Sequence, residues 1–330
     1  MPDDSLQAEI QEALRDSYSL ERELPRGGMS RVFVATEIAL HRRVVIKVLS
    51  PELAATLSAE RFKREIALAA RLQHPHIVPL LNAGLAGPHL YYTMPLVDGE
   101  SLRTRMERER PMAFADIITI LEALARALDY AHEEGVVHRD IKPENVMFFH
   151  GQAVVLDFGI GKALVSASTA ETEVMRITQV GMALGTPTYV APEQAAGDPS
   201  LDHRADLYAL GVVAYEMITG HPPFASRSPQ VVIDAHANKL PEPLSAKRAD
   251  VPAALAAVVM RCLAKRPDER PATGTAIVQS LDTNTPRRHS GGGPMMERMS
   301  NAPSWIPWTV AAVSTLAFIV MAVLYARGRG

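Results

Sequence analysis

The chain contains very little cysteine and only a small excess of negative charge. Cys262 is the only cysteine among 330 residues, which excludes an intrachain disulfide and is typical of a reducing compartment. The formal net charge is −3, so no global electrostatic field favours nucleic acid, and we predict no nucleic-acid partner. Between Arg103 and Arg110 the arginines alternate with glutamates, which predicts a solvated helix face. No histidine pair has the spacing of a zinc site, so zinc-dependent classes are also disfavoured.

Long apolar runs are absent as well, except near the C-terminal end. The N-terminal region is polar and acidic, without the apolar stretch of a signal peptide. Residues 305–325, in contrast, contain no charged residue over 21 positions, about the length that spans a hydrocarbon core. Trp305, Trp308 and Tyr325 lie near its ends, where aromatic rings favour the membrane interface. We predict a transmembrane helix over residues 304–326 that contacts the lipid bilayer, with a buried core helix as the alternative.

Apolar periodicity divides the rest of the chain into a strand-rich part and a helix-rich part. Runs of β-branched residues at 31–35 and 43–49 favour strands, whereas 115–134 carries an apolar stripe at helical spacing. The composition after residue 283 is rich in Pro, Gly, Ser and Arg, as in a flexible linker. We therefore predict an α+β chain with an N-terminal helical extension (1–17), a small strand-rich lobe (18–97), a larger helical lobe (98–284), a flexible linker (285–303), the transmembrane helix (304–326) and a short tail (327–330).

The strongest chemical signal is a group of polar residues that follows the predicted helix. Asp140 is a candidate base that accepts or orients the proton of an incoming hydroxyl group. Lys142 would lie near a transferred phosphate. Asn145 and, after a short predicted strand at 153–156, Asp157 offer the hard oxygen ligands that Mg²⁺ prefers. Together these residues supply what phosphoryl transfer from a nucleotide needs.

A second group lies upstream, among the predicted strands. Gly27 and Gly28 would let backbone N–H groups approach phosphate oxygens without an intervening Cβ, although an ordinary hairpin turn has the same composition. Lys47 lies inside an apolar strand, where an ammonium group is costly to bury unless it is paired. We predict that Glu65, on the following helix, is its partner. A surface lysine on an edge strand is the alternative.

In combination these motifs resemble the protein-kinase superfamily, and most closely the bacterial eukaryotic-like (Hanks-type) membrane serine/threonine kinases. The resemblance rests on His138-Arg139-Asp140, Asp157-Phe158-Gly159 and Ala191-Pro192-Glu193, and it covers about Tyr18 to Leu281. It implies the bilobal protein-kinase fold, with a small antiparallel-sheet lobe that carries one main helix, a large helical lobe, and ATP in the cleft. It also implies ATP and Mg²⁺ as cofactors, with Mn²⁺ as an alternative metal.

The resemblance further implies an ATP site around a hinge. Met94 corresponds to the gatekeeper, and the backbone at Pro95 and Val97 corresponds to the adenine contacts. The other nucleotide-binding residues implied by position are Leu24, Gly27, Gly28, Val32, Val45, Lys47, Asn145, Met147 and Asp157, of which Asn145 and Asp157 would hold the metal. The catalytic residues implied in the same way are Asp140, Lys142, Lys47 and Glu65. The family pattern has glycine where this chain has Pro25, which fixes φ at the mouth of the loop.

More matches lie in the second half of the chain. Glu193 corresponds to a glutamate that pairs with an arginine, here Arg270. Asp206 corresponds to the aspartate that holds the backbone of the catalytic loop. Thr178 corresponds best to a family phosphosite, which predicts autophosphorylation that raises activity. The alternative is a loop that simply contains hydroxyl groups.

We therefore expect a serine/threonine protein kinase that transfers the γ-phosphoryl group of ATP to Ser or Thr hydroxyls of protein substrates in membrane-anchored bacterial signalling. It would be a single-pass protein of the cell membrane with its kinase domain in the cytoplasm, and a homodimer through the small lobes is a family expectation. A pseudokinase is one alternative, but Lys47, Asp140 and Asp157 are all present. A small-molecule phosphotransferase is another, and it would lack the segment at 191–193.

Overall fold

Alternating β-branched residues build a five-stranded antiparallel sheet in the first lobe. The computed structural model describes residues 3–24, 30–50, 59–158 and 187–282. Its first five strands are β1 (Tyr18–Glu23), β2 (Ser30–Glu37), β3 (Arg42–Leu49), β4 (Asn82–Ala86) and β5 (His89–Pro95). Their order in the sheet is β1-β2-β3-β5-β4. Lys47 of β3 lies directly opposite Tyr92 of β5, so the two side chains project from the same face.

Two helices cover the two faces of this sheet. Helix α1 (Asp3–Leu14) buries Ile10 in an apolar cluster on one face. Helix α2 (Ala59–Ala69) buries Phe62 on the other face, in the cluster that contains Tyr92. The face under α2 therefore carries both Tyr92 and its neighbour in the register, Lys47.

Among its described residues, the second lobe is helical apart from one hairpin. Its helices are α3 (Leu102–Arg108), α4 (Phe114–Glu133), α5 (Pro192–Ala195), α6 (Arg204–Thr219), α7 (Pro229–Asn238), α8 (Leu244–Lys247), α9 (Ala253–Cys262) and α10 (Gly274–Asp282), with 3-10 turns at Pro143–Asn145 and Pro267–Glu269. The hairpin pairs β6 (Val146–Phe149) with β7 (Gln152–Val155). The backbone N–H of Leu156 donates to the carbonyl of Asn145 at 2.9 Å, so the hairpin brings Asn145 and Asp157 to the same end.

Helix α6 is the centre of the second lobe. All its residues from Ala205 to Ile218 are buried, as expected for a helix that is apolar on nearly every side. A Cβ atom on Gly211 would lie 2.6 Å from the Cβ of Cys262, so α6 and α9 approach more closely than a larger residue at this position permits. This packing fixes Asp206, in the first turn of α6, inside the lobe.

The sheet lobe and the helical lobe confirm the two-lobed part of the predicted fold. The helix at 114–133 falls where the apolar stripe at 115–134 predicted it, whereas strand β6 was not predicted. The predicted linker (285–303), transmembrane helix (304–326) and tail (327–330) lie outside the residues that the structure describes. Within the described ranges, no helix combines the length and apolarity needed to cross a bilayer.

Candidate active site

Asp206 holds the loop that carries Asp140. Its buried carboxylate accepts hydrogen bonds from the backbone N–H groups of His138 at 2.8 Å and Arg139 at 2.7 Å, and it shares a third, of 2.8 Å, with Nε2 of His132. Burial alone raises the pKa of Asp206, but the hydrogen bond with His132 and the surrounding imidazole and backbone groups outweigh it, and the pKa lies below its ordinary value. The carboxylate therefore stays charged and fixes the loop backbone, which confirms the predicted role of Asp206.

His138 joins this loop to the segment that carries Asp157. Its Nδ1 accepts a hydrogen bond from the backbone N–H of Asp140 at 3.1 Å, which assigns the ring proton to Nε2. Nε2 then donates to the carbonyl of Leu156 at 2.8 Å. The ring also packs edge-on against Phe158, with centroids 4.7 Å apart. His138 thus holds together the loop of Asp140 and the segment of Asp157, and these two pieces form the frame of the site.

Asp140 is half exposed and has one carboxylate oxygen engaged and the other open. Oδ2 accepts hydrogen bonds from Nζ of Lys142 at 2.6 Å and from Nδ2 of Asn145 at 3.0 Å. No donor within the described part of the chain contacts Oδ1. That oxygen can accept the proton of an incoming hydroxyl, while Lys142 places a positive charge beside it.

The side chain of Asn145 is buried and uses only its nitrogen in these contacts. Nδ2 donates to Oδ2 of Asp140 and, at 2.8 Å, to the carbonyl of the same residue. The amide oxygen is left as an electron-pair donor. With the carboxylate of Asp157 it forms a set of hard oxygen ligands, which fits Mg²⁺ better than a thiophilic metal.

Asp157 connects this frame to the sheet lobe. It adopts a left-handed backbone conformation with φ of 65°, which aspartate tolerates better than most residues. Its Oδ2 contacts Nζ of Lys47, and its Oδ1 accepts a hydrogen bond from the hydroxyl of Tyr92 at 3.0 Å. Burial alone raises the pKa of Asp157, but the charge and hydrogen bond of Lys47, with the hydrogen bond of Tyr92, hold the pKa below its ordinary value.

The structure corrects the predicted partner of Lys47. Its ammonium group pairs with Asp157 instead of Glu65, which is a partly buried residue of α2. A buried ammonium group needs a carboxylate but does not specify which one. Asp157, which follows the hairpin β6-β7, supplies that carboxylate from the second lobe. The catalytic role assigned to Glu65 stays a prediction.

The apolar residues predicted to enclose adenine lie in one cluster. Val45 and Met94 are buried, and Val32, Val97 and Met147 pack against the same group. Leu24 follows β1, where its backbone N–H donates to the carbonyl of Val32 at 2.8 Å, and Pro95 ends β5. Gly27, Gly28 and Thr178 lie outside the described residues. The structure thus brings the described members of the predicted nucleotide site to the same region.

Glu193 and Arg270 form a buried, bidentate ion pair, as predicted. Nη1 of Arg270 donates to Oε1 of Glu193 at 2.6 Å, and Nη2 donates to Oε2 at 2.7 Å. The guanidinium group also lies over the ring of Tyr208, 4.8 Å from its centroid. This pair fastens the segment that contains Glu193 to the core of the helical lobe.

Arg103 forms a network that the sequence analysis missed. The prediction of a solvated face was wrong for this arginine, because its guanidinium group reaches inward from α3. It donates to the carboxylate of Glu216 on α6 at 2.8 Å and to that of Glu144 at 2.7 Å. It also contacts the hydroxyl of Tyr189, which donates to Glu216. Arg103 therefore links Tyr189, four residues before Glu193, to the residue that directly precedes Asn145.

Within the described residues, a sheet lobe and a helical lobe meet at Asp157, Oδ1 of Asp140 has no donor, and Arg270 fixes the segment that contains Glu193. These features define the class of this protein. Residues 18–281 match the family described as "Protein kinase domain". The match covers most of the chain, and the chain belongs to this family.

Several bacterial serine/threonine-protein kinases are similar to this chain. The chain is 41% identical over 287 residues to serine/threonine-protein kinase PknB of Mycolicibacterium smegmatis, and 40% identical over the same length to PknB of Mycobacterium tuberculosis H37Rv. Both alignments cover 85% of this chain and 44% of the relative. Serine/threonine-protein kinase PknH of Mycobacterium bovis is 38% identical over 256 residues, which is 77% of this chain and 41% of the relative. The chain thus spans less than half the length of these curated relatives.

Proposed function

We propose that the chain is a serine/threonine protein kinase that transfers the γ-phosphoryl group of ATP to Ser or Thr hydroxyls of proteins. The observation that carries this proposal is the geometry of Asp140: Lys142 and Asn145 hold Oδ2, while no donor from the described residues contacts Oδ1, which can therefore receive a hydroxyl group. ATP with Mg²⁺ or Mn²⁺ would supply the phosphoryl group and the metal charge that offsets its negative oxygens. The names of the relatives support the same activity.

Each residue of the site has a separate task in this proposal. Asp140 orients the substrate hydroxyl and receives its proton at Oδ1. Lys142 offsets the negative charge that grows near the transferred group. Asn145 and Asp157 would hold the metal through their oxygens, and Lys47 would exchange its contact with Asp157 for the phosphates of ATP.

A protein is a better substrate for this site than a small molecule. The described residues from Pro187 to Glu193 form a segment that Arg270 anchors through Glu193 and that Arg103 links, through Tyr189 and Glu144, to the catalytic loop. The test is to offer the full chain ATP and Mg²⁺ with casein, or with a panel of small hydroxyl compounds. Phosphate on Ser or Thr of casein is the expected result. Transfer to small molecules alone would overturn the assignment.

Replacing Arg103 with methionine is expected to weaken the use of protein substrates more than that of ATP. The change leaves the buried carboxylate of Glu216 without its cation and loosens Tyr189. Since a shift of about 1 Å from a distant mutation can cost up to ~10²-fold, kcat/KM for casein should fall roughly tenfold or more, with KM for ATP little changed. Arg108→Met removes an exposed ion pair with Glu100 and is the matched control. Equal kinetics in the two variants would contradict the linking role of Arg103.

We also propose that phosphorylation of Thr178 raises activity. The proposal rests on the resemblance to the family phosphosite and on Arg139, which directly precedes Asp140 and could pair with a phosphate of charge near −2. After incubation with ATP, a Thr178→Ala protein should keep the low initial rate while the wild type accelerates. Thr172→Ala, in the same segment, should accelerate normally. Unchanged acceleration in Thr178→Ala would remove this idea.

The membrane assignment is part of the same proposal. Residues 304–326 would anchor the chain in the cell membrane as a single span, because the segment is uncharged and long enough to cross. The kinase lobes would lie in the cytoplasm, where ATP is available. Fractionation of cells that express the full chain, beside a chain that ends at residue 303, tests the anchor. Recovery of both in the soluble fraction would refute it.

Sedimentation of the detergent-solubilised chain tests the homodimer, which a purely monomeric species would exclude.

A further inference from the structure

The hydroxyl group of Tyr92 lies on the carboxylate proposed to hold the metal. Tyr92 and Lys47 are direct neighbours on β5 and β3, and both reach Asp157 from the sheet. Lys47 contacts Oδ2, and the hydroxyl of Tyr92 donates to Oδ1 at 3.0 Å. Each oxygen of the carboxylate thus has one donor from the sheet lobe.

Tyr92 is more deeply buried than Lys47, whose side chain is 14% exposed. The side chain of Tyr92 is only 3% exposed and packs in the apolar cluster with Phe62 and Ile66 of α2. A phenol hydroxyl can donate a hydrogen bond and an ionised carboxylate can only accept one, so the hydroxyl of Tyr92 donates to Oδ1 of Asp157.

The two donors differ in what they can do when nucleotide enters. Lys47 is charged, and in the proposed kinase it is needed at the phosphates, so its contact with Asp157 is exchangeable. Tyr92 is neutral, fixed in the core, and has no task at the phosphates. Its hydrogen bond can persist and keep the plane of the carboxylate fixed after Lys47 has moved away. A hydrogen bond of this kind orients a metal ligand and typically accounts for about 10–100-fold in metal affinity or activity.

We propose that Tyr92 is a positioning residue that orients Asp157 for the divalent cation. This inference rests on the proposed kinase function and deepens it, because it assigns metal affinity to a strand residue that does not itself contact the metal. It also divides the two roles at Asp157: Lys47 holds the carboxylate before nucleotide binds, and Tyr92 holds it throughout.

The test compares Tyr92→Phe with the wild type in the full chain. The ring is kept, so the apolar cluster stays filled, and only the donor to Oδ1 is lost. Calorimetry measures the affinity for ADP with EDTA and at increasing Mg²⁺. We expect an unchanged affinity in EDTA and a rise of roughly tenfold or more in the Mg²⁺ concentration that half-saturates the binding enhancement. Phosphoryl transfer to casein should show the same displaced Mg²⁺ dependence, with kcat approaching the wild-type value at high Mg²⁺.

Tyr91→Phe is the matched control. Tyr91 is the preceding residue on β5, and its ring belongs to the cluster on the opposite face of the sheet. Loss of the Tyr91 hydroxyl should leave the Mg²⁺ dependence of ADP binding and of phosphoryl transfer unchanged.

Three outcomes separate the inference from the proposal beneath it. An unchanged Mg²⁺ dependence in Tyr92→Phe, beside a wild type that binds and transfers normally, would overturn the positioning role alone. An equal loss of ADP affinity with and without Mg²⁺ would indicate a purely structural residue and would also overturn it. A wild type that neither binds ADP nor transfers phosphate would overturn the kinase proposal and, with it, this inference.

Discussion

Replacing Asp140 with asparagine is expected to lower kcat about 10²–10⁴-fold while the protein stays folded. Asparagine has the same shape, but it cannot accept the proton of the substrate hydroxyl at the position of Oδ1. The fold should be preserved because Asp140 is half exposed, and exposed ion pairs such as the one with Lys142 contribute about 0–1 kcal/mol. The measurement is steady-state transfer to casein, together with thermal unfolding of the same samples.

Asp202→Asn is a suitable control for the Asp140 substitution. The side chain of Asp202 is also partly exposed, at 44%, but it belongs to the turn before α6, and within the described residues its carboxylate contacts Arg204 alone. Its kcat should be that of the wild type. An Asp140→Asn protein with near-normal turnover would contradict the assignment of Asp140 as the base.

Removal of the Arg270 side chain should cause the largest loss of stability of any change discussed here. The guanidinium group is completely buried, and an unpartnered Glu193 carboxylate would remain inside the protein. Breaking a buried pair in this way typically costs about 3–5 kcal/mol. The variant Arg270→Ala also loses the donors to the carbonyls of Arg204 and Lys265, at 3.0 Å each. For a unit of this size the midpoint of thermal unfolding should fall by roughly 10 °C.

Two comparisons sharpen the Arg270 prediction. Arg266→Ala removes an exposed arginine that pairs with Asp268, and its midpoint should change little. Arg270→Lys keeps the charge but cannot form both hydrogen bonds to Glu193, so it should be intermediate. A midpoint for Arg270→Ala equal to that of Arg266→Ala would contradict the stabilising role of the buried pair.

Residues that are close together in the chain could be predicted from the sequence alone. Asp140, Lys142 and Asn145 lie within six positions, and their chemistry is evident from type and spacing. The contacts of Asp206 with the catalytic loop, and the pair between Glu193 and Arg270, could be predicted only from the family resemblance. Nothing local in the sequence links Arg270 to a glutamate 77 residues away. The contacts between residues far apart in the chain were therefore predicted from the family resemblance.

Three of the features that escaped prediction did so for different physical reasons. The pairing of Lys47 depends on a carboxylate 110 residues away, and burial alone does not choose between Glu65 and Asp157. Tyr92 lies in a run of buried residues, where an aromatic side chain is typical of a core, so its hydroxyl gave no signal. Strand β6 has only four residues, and a short apolar run fits a strand and a buried helix equally well.

The central claim, that the chain transfers phosphate to protein hydroxyls through Asp140 and Lys47, can be tested in one experiment. Wild-type full chain, Asp140→Asn and Lys47→Met would each be incubated with casein, Mg²⁺ and γ-labelled ATP, and the label would be mapped by mass spectrometry. We expect label on Ser and Thr in the wild-type reaction and almost none with either variant. Tight ATP binding by the wild type without transfer to itself or to casein would contradict it, and would indicate a nucleotide-binding scaffold instead.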